Sequence, residues 1–256
     1  MNQTERRQFL LRELLSEQPR YAEIEVPSGE QGQKDLLRSL MNVRLPAPVS
    51  QEFLKIQDEY LQQAIAEKGV TDLRDLTPVT GNLYLWQGDI TLLRVDAIVN
   101  AANSGMLGCF QPLHTCIDNC IHTFAGVQLR SRCNEIMTAQ GYDEPTGRAK
   151  ITPAYNLPSK YVIHTVGPIV RGPLNERHRA ELASCYRACL ALAEENACES
   201  MAFCCISTGV FGFPQREAAR IAVDTVKSVL AETGSPLKVV FNVFKDEDLY
   251  LYQALL

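Results

Sequence analysis

Apolar positions recur at helical spacing through the first part of the chain, then give way to short, nearly continuous apolar runs. Phe9, Leu10, Leu14 and Leu15 fall on one side of a helix, as do Leu36, Leu37, Leu40 and Met41. A third stripe, Phe53, Ile56, Tyr60, Leu61 and Ile65, lies within residues 50–68, with Ser50 and Glu52 near its start. Pro27-Ser28-Gly29 and Leu45-Pro46-Ala47-Pro48 break the chain between these helices. From Leu83 onward the runs predict strands at residues 83–86, 96–99, 161–166, 201–206 and 237–244. Helical stretches at 113–138, 176–195, 216–232 and 246–255 separate or follow them. Such alternation predicts an α/β fold, a largely parallel sheet covered on both faces by helices. Residues 1–80 are expected to form a helical N-terminal extension and residues 81–256 the α/β domain. The apolar stripes of the extension need a surface to cover, so it is expected to pack on that domain.

Length and composition fit this division. The 256 residues exceed a minimal domain, and 46% hydrophobic with 21% charged residues is an ordinary globular mixture. A net charge of −5 argues against binding a nucleic-acid backbone, which calls for a basic patch. It leaves room for a nucleotide-like ligand, because backbone N–H groups can hold a pyrophosphate. No apolar run reaches the roughly 18–20 residues that span a bilayer. The opening MNQTERRQFLLRELLSEQ mixes charge into its leucines and lacks the apolar core of an export signal. A cytoplasmic protein, expected to be a monomer without membrane or nucleic-acid partners, follows from these features. Nine cysteines, an odd number, then point to buried thiols, metal ligands or reactive groups instead of a disulfide framework.

In open α/β sheets ligands sit beyond the carboxyl ends of the strands, so the loops there carry the candidate chemistry. Asn100-Ala101-Ala102-Asn103-Ser104-Gly105 follows the strand Asp96-Ala97-Ile98-Val99. Its two amides either fix sugar hydroxyls or a water, or close an Asx turn. Ser207, Thr208, Gly209, Val210, Phe211 and Gly212 follow another strand and precede a helix. They either cradle phosphate on free backbone N–H groups or form a tight strand-to-helix turn. The loop matches neither a Walker A motif nor a G-x-G-x-x-G fingerprint, which weakens ATP hydrolysis and simple Rossmann dehydrogenase chemistry.

Taken as a set, these segments resemble the macrodomain family. The resemblance runs through Gln87-Gly88-Asp89-Ile90-Thr91, Val95 to Ser104, Ile151-Thr152, Tyr155-Asn156-Leu157-Pro158, Tyr161 to Pro168 and the 207–212 loop, over about residues 83–250. It implies a three-layer α/β/α fold with a mixed, largely parallel sheet that binds ADP-ribose, and in many members hydrolyses it from modified proteins. It further implies that Asp89 accepts the adenine amino group, with Ile90 beside it. Asn100 would orient the distal ribose with Asn103 alongside, the backbone of Ser207 to Gly212 would hold the diphosphate, and Phe244 would stack on the adenine.

One departure carries its own chemistry. Many hydrolytic members follow the asparagine loop with a glycine run; here the chain reads Gly108-Cys109-Phe110-Gln111-Pro112-Leu113-His114-Thr115-Cys116. Ile117-Asp118-Asn119-Cys120-Ile121-His122 returns to the family pattern and makes Asp118 the counterpart of the catalytic aspartate. Cys109, His114 and Cys116 offer two thiolates and an imidazole within eight residues. Three donors with no evident fourth describe a Zn²⁺ site that keeps an open position; the alternative is two buried thiols and a histidine at a helix start. The pattern resembles the zinc-dependent bacterial subgroup, which carries a helical N-terminal extension and removes ADP-ribose from a lipoyl-carrier protein modified by a partner sirtuin. Pro153-Ala154, where macrodomains usually have glycine, is a second departure and touches no assigned role. Of the other cysteines, Cys185, Cys189, Cys204 and Cys205 read as packing and Cys120 as a reserve ligand. His164 reads as structural, His122 either as packing or as a support to the site residues, and His178 as exposed.

These readings lead to zinc-assisted removal of ADP-ribose from mono-ADP-ribosylated protein, by cleavage at C1″ of the distal ribose, with Asn100 and Asp118 as the catalytic pair. The rivals are a reader that binds ADP-ribose without cleaving it and a protein whose cysteines serve redox or structural roles away from the pocket.

Overall fold

The computed structural model describes residues 1–256. Three helices come first: α1 (Gln3–Ser16), α2 (Glu30–Val43) and α3 (Gln51–Lys68). Asn2 caps α1 in a reciprocal capping box with Glu5, and Ser50 Oγ caps α3 through the Phe53 N–H. Their stripes face one another, burying Leu10, Leu11, Leu14, Leu37, Leu40, Met41, Phe53, Ile56, Tyr60 and Leu61 in a core of their own. Val127, from the body of the protein, joins that cluster, so the three helices are seated on the rest of the molecule as their pattern requires.

Beyond them run β1 (Thr71–Asp72), β2 (Leu83–Gln87), β3 (Leu93–Arg94), β4 (Ala97–Ala102), α4 (Ile117–Ala125), α5 (Val127–Gln140), β5 (Ala149–Pro153) and β6 (Tyr161–Val166). The chain closes with α6 (Glu176–Glu195), β7 (Ser200–Phe203), α7 (Gln215–Thr233), β8 (Lys238–Val243) and α8 (Asp246–Gln253). Six strands form one sheet in the order β2-β8-β7-β4-β6-β5, and β1 pairs with β3 in a two-residue ladder. Every pairing in the large sheet is parallel except β5 with β6. With α4 and α5 on one face and α6, α7 and α8 on the other, the result is the expected three-layer α/β/α architecture with a mixed, largely parallel sheet. Strands buried on both faces read as near-continuous apolar runs, as Ala97–Ala102 and Tyr161–Val166 do apart from Asn100, His164 and Thr165.

Several elements differ from the sequence expectation: β4 runs on to Ala102, so Asn100 sits inside the strand instead of in the loop after it, β7 ends at Phe203, and the two-residue strands β1 and β3 carry too little pattern to predict. The helix anticipated over 113–138 starts later and is two helices, because Gly126 takes φ +96° between α4 and α5. A Cβ there would also lie 2.6 Å from the Gln57 amide nitrogen on α3, so glycine allows both the bend and the close approach of the extension. The strand Ala149–Pro153 leaves no clear sequence pattern, because an antiparallel edge strand is only half buried and this one carries Lys150 and a terminal proline.

Candidate active site

The β4–β6 register sets the site. Asn100 pairs with His164 across the ladder, and both side chains are fully buried between the sheet and α4. Asn100 Nδ2 lies 3.1 Å from His164 Nδ1 and donates to Asp118 Oδ1 at 2.8 Å. An amide hydrogen can point at His164 Nδ1 only if that nitrogen is the bare one. The ring proton therefore sits on Nε2, 3.0 Å from Thr152 Oγ1. Burial holds the His164 imidazole neutral, pushing its pKa down to about 3. Asn100 Oδ1 is buried without a partner.

Asp118 lies in the first turn of α4, where the helix dipole favours a carboxylate. Burial outweighs that effect and the hydrogen bond from Asn100, and raises its pKa to about 6. Asn103 Nδ2 reaches Asp118 Oδ2 at 3.3 Å and the Gly108 carbonyl at 3.1 Å, while its Oδ1 accepts from the Gly105 N–H. Asn103 thus closes the Asx turn, whereas Asn100 acts on Asp118. His122 is also buried and, with Nε2 3.6 Å from Asp118 Oδ1, is too far for a hydrogen bond. Its pKa is held well below the ordinary value, by burial first, so the pair is neutral imidazole against carboxyl.

Asp118 opens into a cleft of about 570 Å³. Asn103, Cys109, Gln111, His114 and Cys116 line it, together with Ser207, Thr208, Gly209, Val210 and Phe211. That volume falls in the range of small-molecule sites. The N–H groups of Gly209, Val210 and Phe211 donate to nothing in the protein, so three successive donors are left at the cleft. Gly212 closes the loop by donating to the Gly209 carbonyl. Asn100 does not reach the cleft surface; it lies beneath, behind Asp118.

The three donors expected to bind metal come together. Cys109 Sγ lies 3.6 Å from His114 Nδ1, and one ligand atom from each of Cys109, His114 and Cys116 falls within 4.8 Å of the others. All three are half-buried and line the cleft beside Asp118. Burial chiefly, with the neighbouring Cys109 and Asp118, pushes the Cys116 thiol up to about 12, the direction a bound cation reverses. Soft thiolates and an imidazole at this separation suit Zn²⁺.

Asp89 and Phe244 stand at the carboxyl ends of the neighbouring strands β2 and β8. Asp89 Oδ1 caps the turn at Ile90–Leu92, accepting from the Thr91 N–H and Oγ1, and Ile90 is buried beneath it. Phe244 is 76% exposed, so its ring is free to stack on a ligand. In the sheet order β2-β8-β7-β4, Asp89, Phe244, the 207–212 loop and Asn103 follow the carboxyl ends of successive strands, although Asp89 and Phe244 do not line the cleft. Lys245 also lines the cleft; a lone cation two residues past the end of β8 is the only trace it leaves in sequence.

The chain matches the macro domain over residues 99–222. It is 60% identical over 260 residues to a protein-ADP-ribose hydrolase of Treponema medium, covering 100% of both chains. It is 53% identical over 250 residues to the protein-ADP-ribose hydrolase of Staphylococcus aureus strain MSSA476, covering 97% of this chain and 94% of that protein. Among solved structures, the Trypanosoma brucei macrodomain in complex with ADP-ribose superposes with a TM-score of 0.66 at 31% identity, over 85% of this chain and 94% of that one. This chain belongs to the macro domain family. No helix in it is long and apolar enough to cross a membrane.

Proposed function

We propose that this protein is a protein-ADP-ribose hydrolase that removes mono-ADP-ribose from modified proteins with the help of zinc. The observation that carries the reading is Asp118. A buried carboxyl, held by Asn100 and Asn103, opens into the same cleft as three free backbone N–H groups and a Cys₂His cluster. Recognition alone requires neither the buried acid nor the thiolates, which disfavours a reader.

The diphosphate suits the Gly209, Val210 and Phe211 N–H groups, with Lys245 adding a positive charge to the wall. The adenine then extends toward Phe244 and Asp89, whose Oδ2 is left free by the capping role of Oδ1. The distal ribose falls at the Asp118 end. Cleavage at C1″ passes through an oxocarbenium-like transition state, which an adjacent carboxylate stabilises and to which it can direct a water. Asn100 fixes Asp118 in one rotamer, and His164 in its Nε2–H form fixes Asn100. Cys109, His114 and Cys116 would hold a zinc ion beside that end, where it supplies a Lewis acid. The substrate to which this reading extends is a lipoyl-carrier protein modified by a partner sirtuin, met in the cytoplasm.

The test is incubation of the purified protein with mono-ADP-ribosylated proteins of defined linkage, following release of ADP-ribose. Release is expected for at least one linkage. Retention of every label with intact ADP-ribose binding would leave the protein a reader.

A further inference from the structure

The loop that carries Cys109, His114 and Cys116 is tied along its inner side to α2 of the N-terminal extension. Arg38 Nη2 donates to the His114 carbonyl at 2.7 Å and to Asn119 Oδ1 at 3.0 Å. Asn119 passes the constraint on, since its Nδ2 donates to the Cys109 carbonyl at 3.3 Å and the Gln111 carbonyl at 2.9 Å. One turn further along α2, Asn42 Oδ1 accepts from the Leu113 N–H at 3.0 Å, while its Nδ2 donates to Thr123 Oγ1 at 2.9 Å. Leu113 has φ +56°, a left-handed conformation that a leucine seldom adopts without a partner to fix it. At the loop's entry Gly108 has φ +82°, where a Cβ would meet the His122 ring at 2.7 Å. Two side chains from one helix therefore hold the backbone at and beside His114 directly, and Arg38 reaches the Cys109 carbonyl through Asn119.

We propose that Arg38 and Asn42 are positioning residues for the metal loop, which makes the N-terminal extension part of the metal site. The inference rests on the zinc reading above. A loop already folded around its donors loses little freedom when the ion arrives, and outer partners that orient ligands typically govern affinity by about 10–100-fold. Arg38 fits this role because a guanidinium can serve two acceptors with fixed geometry. Asn42 fits because one amide bridges the loop and α4.

The experiment uses the full chain as wild type, Arg38→Ala, Arg38→Lys and Asn42→Ala. Zinc affinity is measured by competition with a chromogenic chelator. Hydrogen–deuterium exchange of residues 109–116 and the melting temperature are measured on metal-free protein. Arg38→Ala and Asn42→Ala are expected to bind zinc at least tenfold more weakly and to exchange the loop amides faster, with the metal-free melting temperature near that of wild type. Arg38→Lys is expected to fall between. Wild-type affinity together with unchanged loop exchange in both alanine variants would overturn the inference. If wild type itself binds no zinc, the zinc reading fails, and the metal-free exchange alone decides: faster exchange upholds the clamp, unchanged exchange overturns it. Should one alanine variant melt early, Arg38→Lys and the other alanine variant carry the comparison.

Discussion

Asp118 is the residue on which the chemistry turns, and its neighbours explain why. Burial raises its pKa while the Asn100 amide, the Arg130 charge and the Asn103 amide pull in the opposite direction, so it settles at about 6 and can serve near neutral pH. Replacing Asn100 by Ala is expected to keep the metal and ADP-ribose binding while turnover collapses, because Asp118 loses its main partner. Cys116→Ser is expected to lose both metal and turnover while the fold persists. Metal analysis beside single-turnover rates separates the two, and equal metal content in both variants would contradict the assignment. Asp89→Ala should weaken ADP-ribose by about 1–3 kcal/mol, the cost of losing a hydrogen bond to a buried polar partner; calorimetry showing unchanged affinity would remove Asp89 from the site. Asp118 and Asn100 could be singled out because they fall in segments that resemble the family's, and the Cys–His–Cys cluster because three donors lie within eight residues. His164 as the partner of Asn100 was not, since nothing local shows which residues a sheet register sets side by side. Arg38 and Asn42 lie 76 and 71 residues from the backbone groups they hold, and no spacing rule spans such a distance.

At the scale of elements, the parallel strands of the large sheet and α6, α7 and α8 were legible within a few residues, since buried parallel strands and amphipathic helices leave strong patterns, whereas the antiparallel edge strand β5 was not. The region around α4 was not legible either. Its apolar periodicity runs on through Gly126, and only the tertiary approach of Gln57 shows that the helix must break there. Gly126→Ala is expected to destabilise the protein by about 1–3 kcal/mol, as a non-glycine residue is forced into an unfavourable φ against packed side chains. Chemical denaturation giving wild-type stability would mean that the bend tolerates a Cβ.

On the scale of the whole molecule, two cores are joined by polar contacts. Arg130 on α5 donates to the Met41 carbonyl at 3.0 Å and the Arg44 carbonyl in the extension, and Gln57 Oε1 accepts from the Val127 N–H at 3.0 Å. Deleting residues 1–70 is expected to strip this cover, lower the melting temperature and reduce solubility; an unchanged melting temperature would show the extension to be dispensable to the fold. Acid should weaken the intact protein through its buried histidines. His164 has a folded-state pKa of about 3 against about 6.5 when free, so its contribution is complete above pH 6.5 and is lost as pH falls toward 3. Between those limits the unfolded chain binds a proton that the folded one refuses, at about 1.4 kcal/mol per pH unit. His164→Gln should flatten the fall in stability between pH 6 and 4, and an identical slope would contradict a neutral buried imidazole.

The central claim, that a metal held by Cys109, His114 and Cys116 works with Asp118 in one cleft, is most directly tested by one rate. That rate is the single-turnover release of ADP-ribose from a mono-ADP-ribosylated protein, measured on zinc-loaded enzyme, on the same preparation stripped to verified metal-free protein, and after zinc is restored. Loss on stripping and recovery on reloading at about one zinc per chain is the expected result. Full release by the metal-free protein would contradict it, and would leave the cluster as at most a local staple of the loop.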